Sequence, residues 1–102
     1  MADLGIFVST QKHLDWVIEL TKAAKAKDKK VVVFFSGLSV HLTQKPEFAQ
    51  LIGHAERITV CDVSFRAYGL HGKEVPGVTF KDFVTQARNA EMVEECARYL
   101  SM

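Results

Sequence analysis

The sequence predicts a doubly wound α/β domain, in which helices cover both faces of a parallel sheet. The segment Val31–Phe35 is apolar without interruption, which is typical of a strand buried on both faces of such a sheet. Short β-rich segments alternate with helical stretches of about a dozen residues, which is the spacing of βαβ crossovers. The chain has 102 residues, of which 48% are hydrophobic and 25% are charged. This length and composition indicate one ordinary globular domain over residues 1–102.

The first half of the chain predicts a strand, a helix and a second strand, followed by two short helical pieces. Residues 4–9 form a short β-rich segment, and residues 13–27 are predicted to form an amphipathic helix. The apolar positions of this helix recur at helical spacing: Leu14, Val17, Ile18, Thr21 and Ala24. Val31–Phe35 is the second predicted strand. Residues 37–43 and 46–55 are predicted to be helical, and a proline opens the second piece in the favoured first turn.

The second half of the chain begins with a third predicted strand, Arg57–Cys61, and a short helix over residues 62–70. The apolar face of that helix is predicted to hold Val63, Ala67 and Leu70. Residues 73–79 contain a Pro-Gly pair and are predicted to be a loop. Residues 80–96 are predicted to be helical from their recurring apolar positions, which are Phe80, Phe83, Val84, Ala87, Met92, Val93 and Cys96. Residues 98–102 form the predicted terminal strand.

Charge and hydropathy argue against several classes of function. The formal net charge of +1 supplies no strong field for binding nucleic acid or an anionic membrane surface. The apolar run Val31–Phe35 is far shorter than the roughly 20 residues that cross a bilayer. The opening Met-Ala-Asp-Leu-Gly lacks a basic region and a cleavage site, so we expect a cytoplasmic protein. In that reducing compartment, Cys61 and Cys96 are predicted to be thiols rather than a disulfide.

Polar or reactive side chains follow the first three predicted strands, at the carboxyl ends where parallel sheets gather ligands. Residues 9–11 follow the first strand, residues 36–39 follow the second, and Cys61 ends the third. Neither polar segment matches a P-loop or a GxGxxG motif. Cys61 precedes a predicted helix, whose free N–H groups favour a thiolate. The alternative is that Cys61 is a small buried hydrophobe that ends an apolar strand.

Several charged or titratable side chains are candidates for tuning the Cys61 thiolate. Arg66 adds positive potential to this segment, whereas Asp62 acts in the opposite direction. His41 and His71 fall on the side where strand ends gather, so either is a candidate for supplying a proton or a positive charge. The alternative for both histidines is a solvent-exposed loop position.

Metal binding and dithiol chemistry are not predicted. The four histidines form no HxH, HxxxH or Cys/His cluster with the spacing of a zinc site, so no metal is expected. The two cysteines form no CxxC pair. Cys96 shares a helical face with Met92 and Val93, and we predict that it serves core packing.

The first predicted helix has a wider apolar arc than one contact face needs. Trp16, Leu20 and Ala23 lie beside its main apolar stripe. This arc predicts either a subunit interface or a helix that is buried deeply enough to cover a wide arc.

The segment around Cys61 resembles that of a known family. Residues 58–70, Ile-Thr-Val-Cys-Asp-Val-Ser-Phe-Arg-Ala-Tyr-Gly-Leu, look like the cysteine segment of the DsrE/DsrF/TusD-like small proteins. Residues 31–37, followed by Leu42 and Thr43, are similar to the family's second strand and its succeeding loop. Residues 80–102 resemble its closing helix and terminal strand, so the order of elements agrees over essentially the whole chain.

The resemblance implies both a fold and a function. It implies a flavodoxin-like, three-layer DsrE-like domain with about five parallel strands, assembled as homo- or hetero-oligomers that are often trimers or hexamers. Cys61 matches the family's reactive cysteine, which accepts sulfane sulfur as a persulfide and hands it to a partner. We therefore expect a sulfur carrier or sulfurtransferase with protein donors and acceptors and no cofactor.

Two other classes of function stay open. A non-catalytic oligomeric domain that binds a small ligand would explain the fold without using Cys61. A thiol-redox sensor would use Cys61 to form a sulfenate, although no resolving cysteine lies near it in sequence. The accessibility of the thiol discriminates the relay from the binding domain.

Overall fold

The computed structural model describes residues 2–102, which form five strands joined mainly by helical segments. The strands are β1 (Leu4–Val8), β2 (Val31–Phe35), β3 (Arg57–Cys61), β4 (Phe83–Val84) and β5 (Arg98–Ser101). The α-helices are α1 (Leu14–Ala26), α2 (Asp62–Ala67) and α3 (Ala87–Glu95). Three 3₁₀ helices lie between these elements: Gly37–Gln44, Pro46–Leu51 and Phe80–Asp82. Within this described part of the chain, no helix is long and apolar enough to cross a membrane.

The five strands form one parallel sheet in the order β4-β3-β2-β1-β5. The chain moves outward one strand at a time from β1 to β4, and α3 then carries it back across the sheet to β5 beside β1. The elements between β1 and β3 and helix α2 pack on one face, and α3 packs on the other. The predicted three-layer α/β class is confirmed. Its strand order differs from the 2-1-3-4-5 order of flavodoxin itself.

Strand β2 lies at the centre of the sheet and is buried on both faces. Val31, Val33 and Phe35 point toward α1 and the 3₁₀ helices, and Val32 and Phe34 point toward α3. Each of these five side chains is buried. The burial of β2 on both faces, which its unbroken apolar sequence predicts, is confirmed.

Helix α1 buries the predicted stripe and leaves part of the wider arc in solvent. Its buried residues are Leu14, Val17, Ile18 and Thr21, as predicted. Leu20 packs partly against the core, whereas Trp16 is 62% exposed and Ala23 is exposed. Deep burial therefore does not explain Trp16. Assembly of the protein through this arc stays a prediction.

Helix α2 differs from its prediction in length and in orientation. It ends at Ala67 rather than at residue 70. Its buried residue is Phe65, whose ring contacts Phe83 at a centroid distance of 4.9 Å, while Val63 is 68% exposed. The predicted face was wrong for Val63 and Ala67, because the larger aromatic side chain takes the core position and turns them into solvent, whereas Leu70 packs partly against the core.

The prediction that residues 80–96 are helical throughout was also wrong at its start. Thr79 and Asp82 cap a single 3₁₀ turn, and Phe83–Val84 then pairs with Val60 and Cys61 as strand β4. Helix α3 starts only at Ala87. A strand of two residues is too short to produce an alternating pattern, so the helical spacing of its apolar residues was misleading.

Cys96 follows α3 and packs against β1. A Cβ atom added at Gly5 would lie 2.8 Å from Sγ of Cys96 and 3.2 Å from Cε of Met92. Glycine at position 5 therefore allows the end of α3 to approach the sheet closely. This placement agrees with the packing role predicted for Cys96.

Candidate functional site

The site lies where the connections of two neighbouring strands leave the sheet on opposite faces. Strand β3 leads into α2 on one face, and its neighbour β4 leads toward α3 on the other. Such a switch point opens a crevice at the carboxyl ends of the strands. Cys61 is the last residue of β3, and Gln86 lies just beyond β4. The topology therefore brings these two residues together from distant parts of the sequence.

Cys61 ends β3 with its side chain on the α3 face of the sheet. It belongs to the smaller apolar cluster with Phe34 and Met92, and Val84 of β4 packs against that cluster. The residue is only 2% exposed. It is also the N-cap of α2, so the unpaired amides of the first helical turn are its neighbours.

Three residues lower the pKa of the Cys61 thiol, and together they form what we call the thiol cradle: Ser36, Ser64 and Gln86. The hydroxyls of Ser36 and Ser64 and the backbone N–H of Ser64 favour the charged form of the Cys61 thiol and lower its pKa. Nε2 of Gln86 lies 3.7 Å from Sγ. The three cradle residues come from different elements at the carboxyl edge of the sheet. Ser36 follows β2, Ser64 lies in α2 and Gln86 follows β4.

The two serine hydroxyls are held so that their protons can point at the sulfur. The backbone N–H of Gly37 donates to Oγ of Ser64 at 3.0 Å. Nε2 of Gln86 donates to Oγ of Ser36 at 2.5 Å. Because each hydroxyl already accepts an N–H, its own proton is available for Cys61. Both protons of the Gln86 amide are used, one on Ser36 and one on the sulfur.

Ser36 and Gly37 are fixed by the turn that follows β2. The backbone N–H of Ser36 donates to Oγ of Ser39 at 2.9 Å, and Ser39 in turn contacts the carbonyl of Val8 at the end of β1. Gly37 has a φ of +59°, a left-handed conformation that glycine adopts without strain. This turn directs the Gly37 amide toward α2 and places the Ser36 hydroxyl beside Cys61.

The cradle favours the thiolate form of Cys61. Burial raises the pKa of this thiol, but the hydrogen bonds from Ser64, Ser36 and Gln86 together outweigh burial, so the pKa lies below its usual value. Cys96 lacks such donors, and burial raises the pKa of its thiol above the usual value. The two cysteines of the chain therefore differ in the direction of their shifts.

The charged candidates predicted from sequence are not donors to the sulfur. Nε of Arg66 pairs with Oδ2 of Asp62 at 2.9 Å, so these two opposed charges within α2 partner one another. The His41 ring packs edge-on against Tyr68 at 5.1 Å. An influence of these groups on the thiolate through longer-range charge stays a prediction.

His71 lines an open groove on the α2 side of the sheet. The groove has a volume of about 1140 Å³ and runs between the first two 3₁₀ helices, α2 and residues 71–79. Asp62 and Arg66 line it together with His71, and Phe65 and Phe83 contribute apolar surface. Because the Cys61 side chain packs on the opposite face, the groove and the thiol cradle are separate features.

The two cysteines are too far apart to form a disulfide with each other. Cys96 packs over Gly5 of β1, two strands away from Cys61, which places them roughly 10 Å apart across the sheet. Gly5 pairs with Val32, whereas Val60 pairs with Phe35, so Cys61 lies level with residue 36. The two cysteines are therefore also offset by about four residues along the strand direction, which is roughly 13 Å. A disulfide needs Cα atoms within about 7 Å. Both cysteines are free thiols.

The sequence contained a partial signal for the cradle. Residues 36–39 stand out as a polar segment after a strand, which is where Ser36 is found. Ser64 lies three residues after Cys61, the spacing at which an N-cap side chain meets a backbone N–H. Gln86 carried no signal, because strand β4 beside it was not recognisable.

Comparisons with known proteins add no assignment. The chain matches no protein-family model, and a search of curated proteins finds no significant match. Among residues 2–102, no three His, Cys, Asp or Glu side chains are grouped so as to hold a metal ion.

Proposed function

We propose that Cys61 accepts a sulfane sulfur as a persulfide and passes it to a partner protein, as its resemblance to the DsrE/DsrF/TusD-like cysteine segment implies. The observation that carries the proposal is the position of Cys61 at the start of α2, with the Gln86 amide 3.7 Å from its sulfur and a thiol pKa below the usual value. Attack on a persulfide requires a thiolate, and a lowered pKa favours that form.

The chemistry needs no cofactor. The Cys61 thiolate attacks the outer sulfur of a donor persulfide, R–S–SH, so that a new S–S bond forms and the donor S–S bond breaks. The products are the Cys61 persulfide and the donor thiolate, and the proton stays on the transferred sulfur. An acceptor thiolate then attacks that outer sulfur and releases the Cys61 thiolate. The cradle stabilises the same anion before the first step and after the second.

Reaction requires that the buried sulfur be reached. Cys61 is 2% exposed, yet one of the side chains in contact with its sulfur belongs to an exposed surface residue, Gln86. Rotation of one surface side chain is a fast and inexpensive motion. The depth of burial is therefore compatible with a relay in which the sulfur is uncovered only for transfer.

The test is the intact mass of the folded protein after incubation with a persulfide donor. We expect the mass of one sulfur to be added to the wild type and to Cys96→Ala, but not to Cys61→Ala. Each single variant leaves one of the two free thiols, so the pair forms a matched control. Equal labelling of both variants, or no labelling of the folded wild type, would contradict the relay.

A second function, a non-catalytic domain that binds a small ligand, is favoured by two observations. The thiol is buried, and the open groove beside α2 has mixed polar and apolar walls. In this alternative Cys61 only packs at the end of β3, and sulfur uptake by the folded protein would be absent. The intact-mass experiment therefore separates the two functions.

A further inference from the structure

Gln86 connects the protein surface to the Cys61 sulfur. The residue is exposed, but its amide reaches inward to Ser36, which is 5% exposed, and to Cys61. An exposed glutamine loses side-chain freedom when it is held in this way, and the two hydrogen bonds offset that cost. The same two bonds hold the Gln86 amide against the sulfur.

The segment that carries Gln86 is held to the sheet by few contacts. Strand β4 pairs with β3 through two residue pairs only, Val60 with Phe83 and Cys61 with Val84. Further links are the ion pair between Arg57 and Asp82 at 3.0 Å, whose arginine side chain is 42% exposed, and the packing of Phe83 on Phe65. Short edge strands and exposed ion pairs contribute little to stability, so this segment is held less firmly than the central strands of the sheet.

We propose that Gln86 is a latch that controls access to Cys61. In the closed state its amide covers the sulfur and donates to it; in the open state the side chain turns into solvent and the sulfur is exposed. This inference rests on the proposed function and adds the regulation of the same site. Gln86 acts on the reaction through Cys61 and is therefore a positioning residue.

The latch separates access from reactivity. Opening removes the Gln86 hydrogen bond but leaves both donors of Ser64 in place, so the thiolate remains favoured when it becomes exposed. A buried thiol that reacted only by unfolding of the domain would lose all these donors at once. Rotation of Gln86 and unfolding of the domain therefore predict different alkylation rates when Gln86 is substituted and when denaturant is added.

The experiment measures alkylation of Cys61 against pH in the Cys96→Ala background, with iodoacetamide and with a bulky maleimide. The plateau rate at high pH reports access, because the thiol is then fully ionised. We expect Gln86→Ala to raise the plateau roughly 10- to 30-fold, because the closed state loses two hydrogen bonds, one to Ser36 and one to Cys61. The increase should be larger for the maleimide, because a bulky reagent depends more on an open site than iodoacetamide does.

Gln50→Ala is the matched control. Gln50 is also exposed, and its side-chain oxygen accepts a hydrogen bond from Nζ of Lys22 at 2.7 Å. It lies next to α1, on the face of the sheet opposite to α3. We expect its plateau and midpoint to equal those of the parent. Low urea concentrations should leave the parent rate unchanged, since a side-chain rotation exposes little surface.

An unchanged plateau in Gln86→Ala, or a parent rate that rises with urea as steeply as global unfolding, overturns the latch. Failure of the proposed function has a different signature. If Gln86→Ala raises the plateau but no variant takes up sulfur, the relay is overturned and the latch over Cys61 still stands.

Discussion

Ser64→Ala should slow the alkylation of Cys61 at neutral pH about tenfold. Ser64 supplies a hydroxyl that lowers the pKa of Cys61, and the Gly37 amide donates to that hydroxyl at 3.0 Å and so helps to hold it in place. Hydrogen bonds to charged groups contribute about 1.5–3 kcal/mol, and about 1.4 kcal/mol corresponds to one factor of ten. Losing this donor raises the pKa of Cys61 and lowers the fraction of thiolate. The measurement is the pH profile of alkylation in the Cys96→Ala background.

Ser101→Ala is the matched control for this substitution. Ser101 is an exposed serine on β5, at the opposite side of the sheet from β3. It should leave the profile unchanged, and thermal melts of both variants should show that the fold is retained. A Ser64→Ala profile identical to that of Ser101→Ala would mean that the hydroxyl of Ser64 does not stabilise the thiolate.

Phe35→Ala should reduce the free energy of unfolding by about 3–5 kcal/mol, the range for removing a buried phenylalanine. Phe35 is fully buried at the end of β2, and its ring packs on Phe48 with a centroid distance of 5.3 Å. Neighbouring strands hold the backbone in place, so the structure has little freedom to fill the cavity. Urea denaturation measures the loss, which should shift the midpoint without changing the slope.

Phe80→Ala removes the same side chain from an exposed position. Phe80 is 83% exposed, so we expect a change within about 0.5 kcal/mol. If the two variants lose comparable free energies of unfolding, the face of the sheet that holds Phe35 is not the principal core.

The pattern of the sequence predicted those elements whose burial is regular along the chain. Strand β2 is buried at every position, and α1 buries one face over several turns, so both produce a periodic apolar pattern. Cys61 was identified as a candidate because it ends such a strand. In each of these cases the local sequence contains the whole signal.

The elements that were mistaken depend on contacts between distant residues. Strand β4 has two residues, and only its pairing with Val60 and Cys61 makes it a strand. Helix α2 has six residues, too few for periodicity to decide between Val63 and Phe65. Gln86 joined the site only because β4 places it beside Ser36 and Cys61, and no spacing within the sequence encodes that proximity.

The most direct measurement is a titration of the thiolate by its ultraviolet absorbance, made on Cys96→Ala and Cys61→Ala in parallel. It tests whether the donors at the end of β3 stabilise an anion on Cys61. The opposite shifts of the two thiols predict that Cys61 titrates below the usual pKa of a cysteine and that Cys96 titrates above it. A Cys61 midpoint at or above the usual value, or above that of Cys96, would contradict the proposed site.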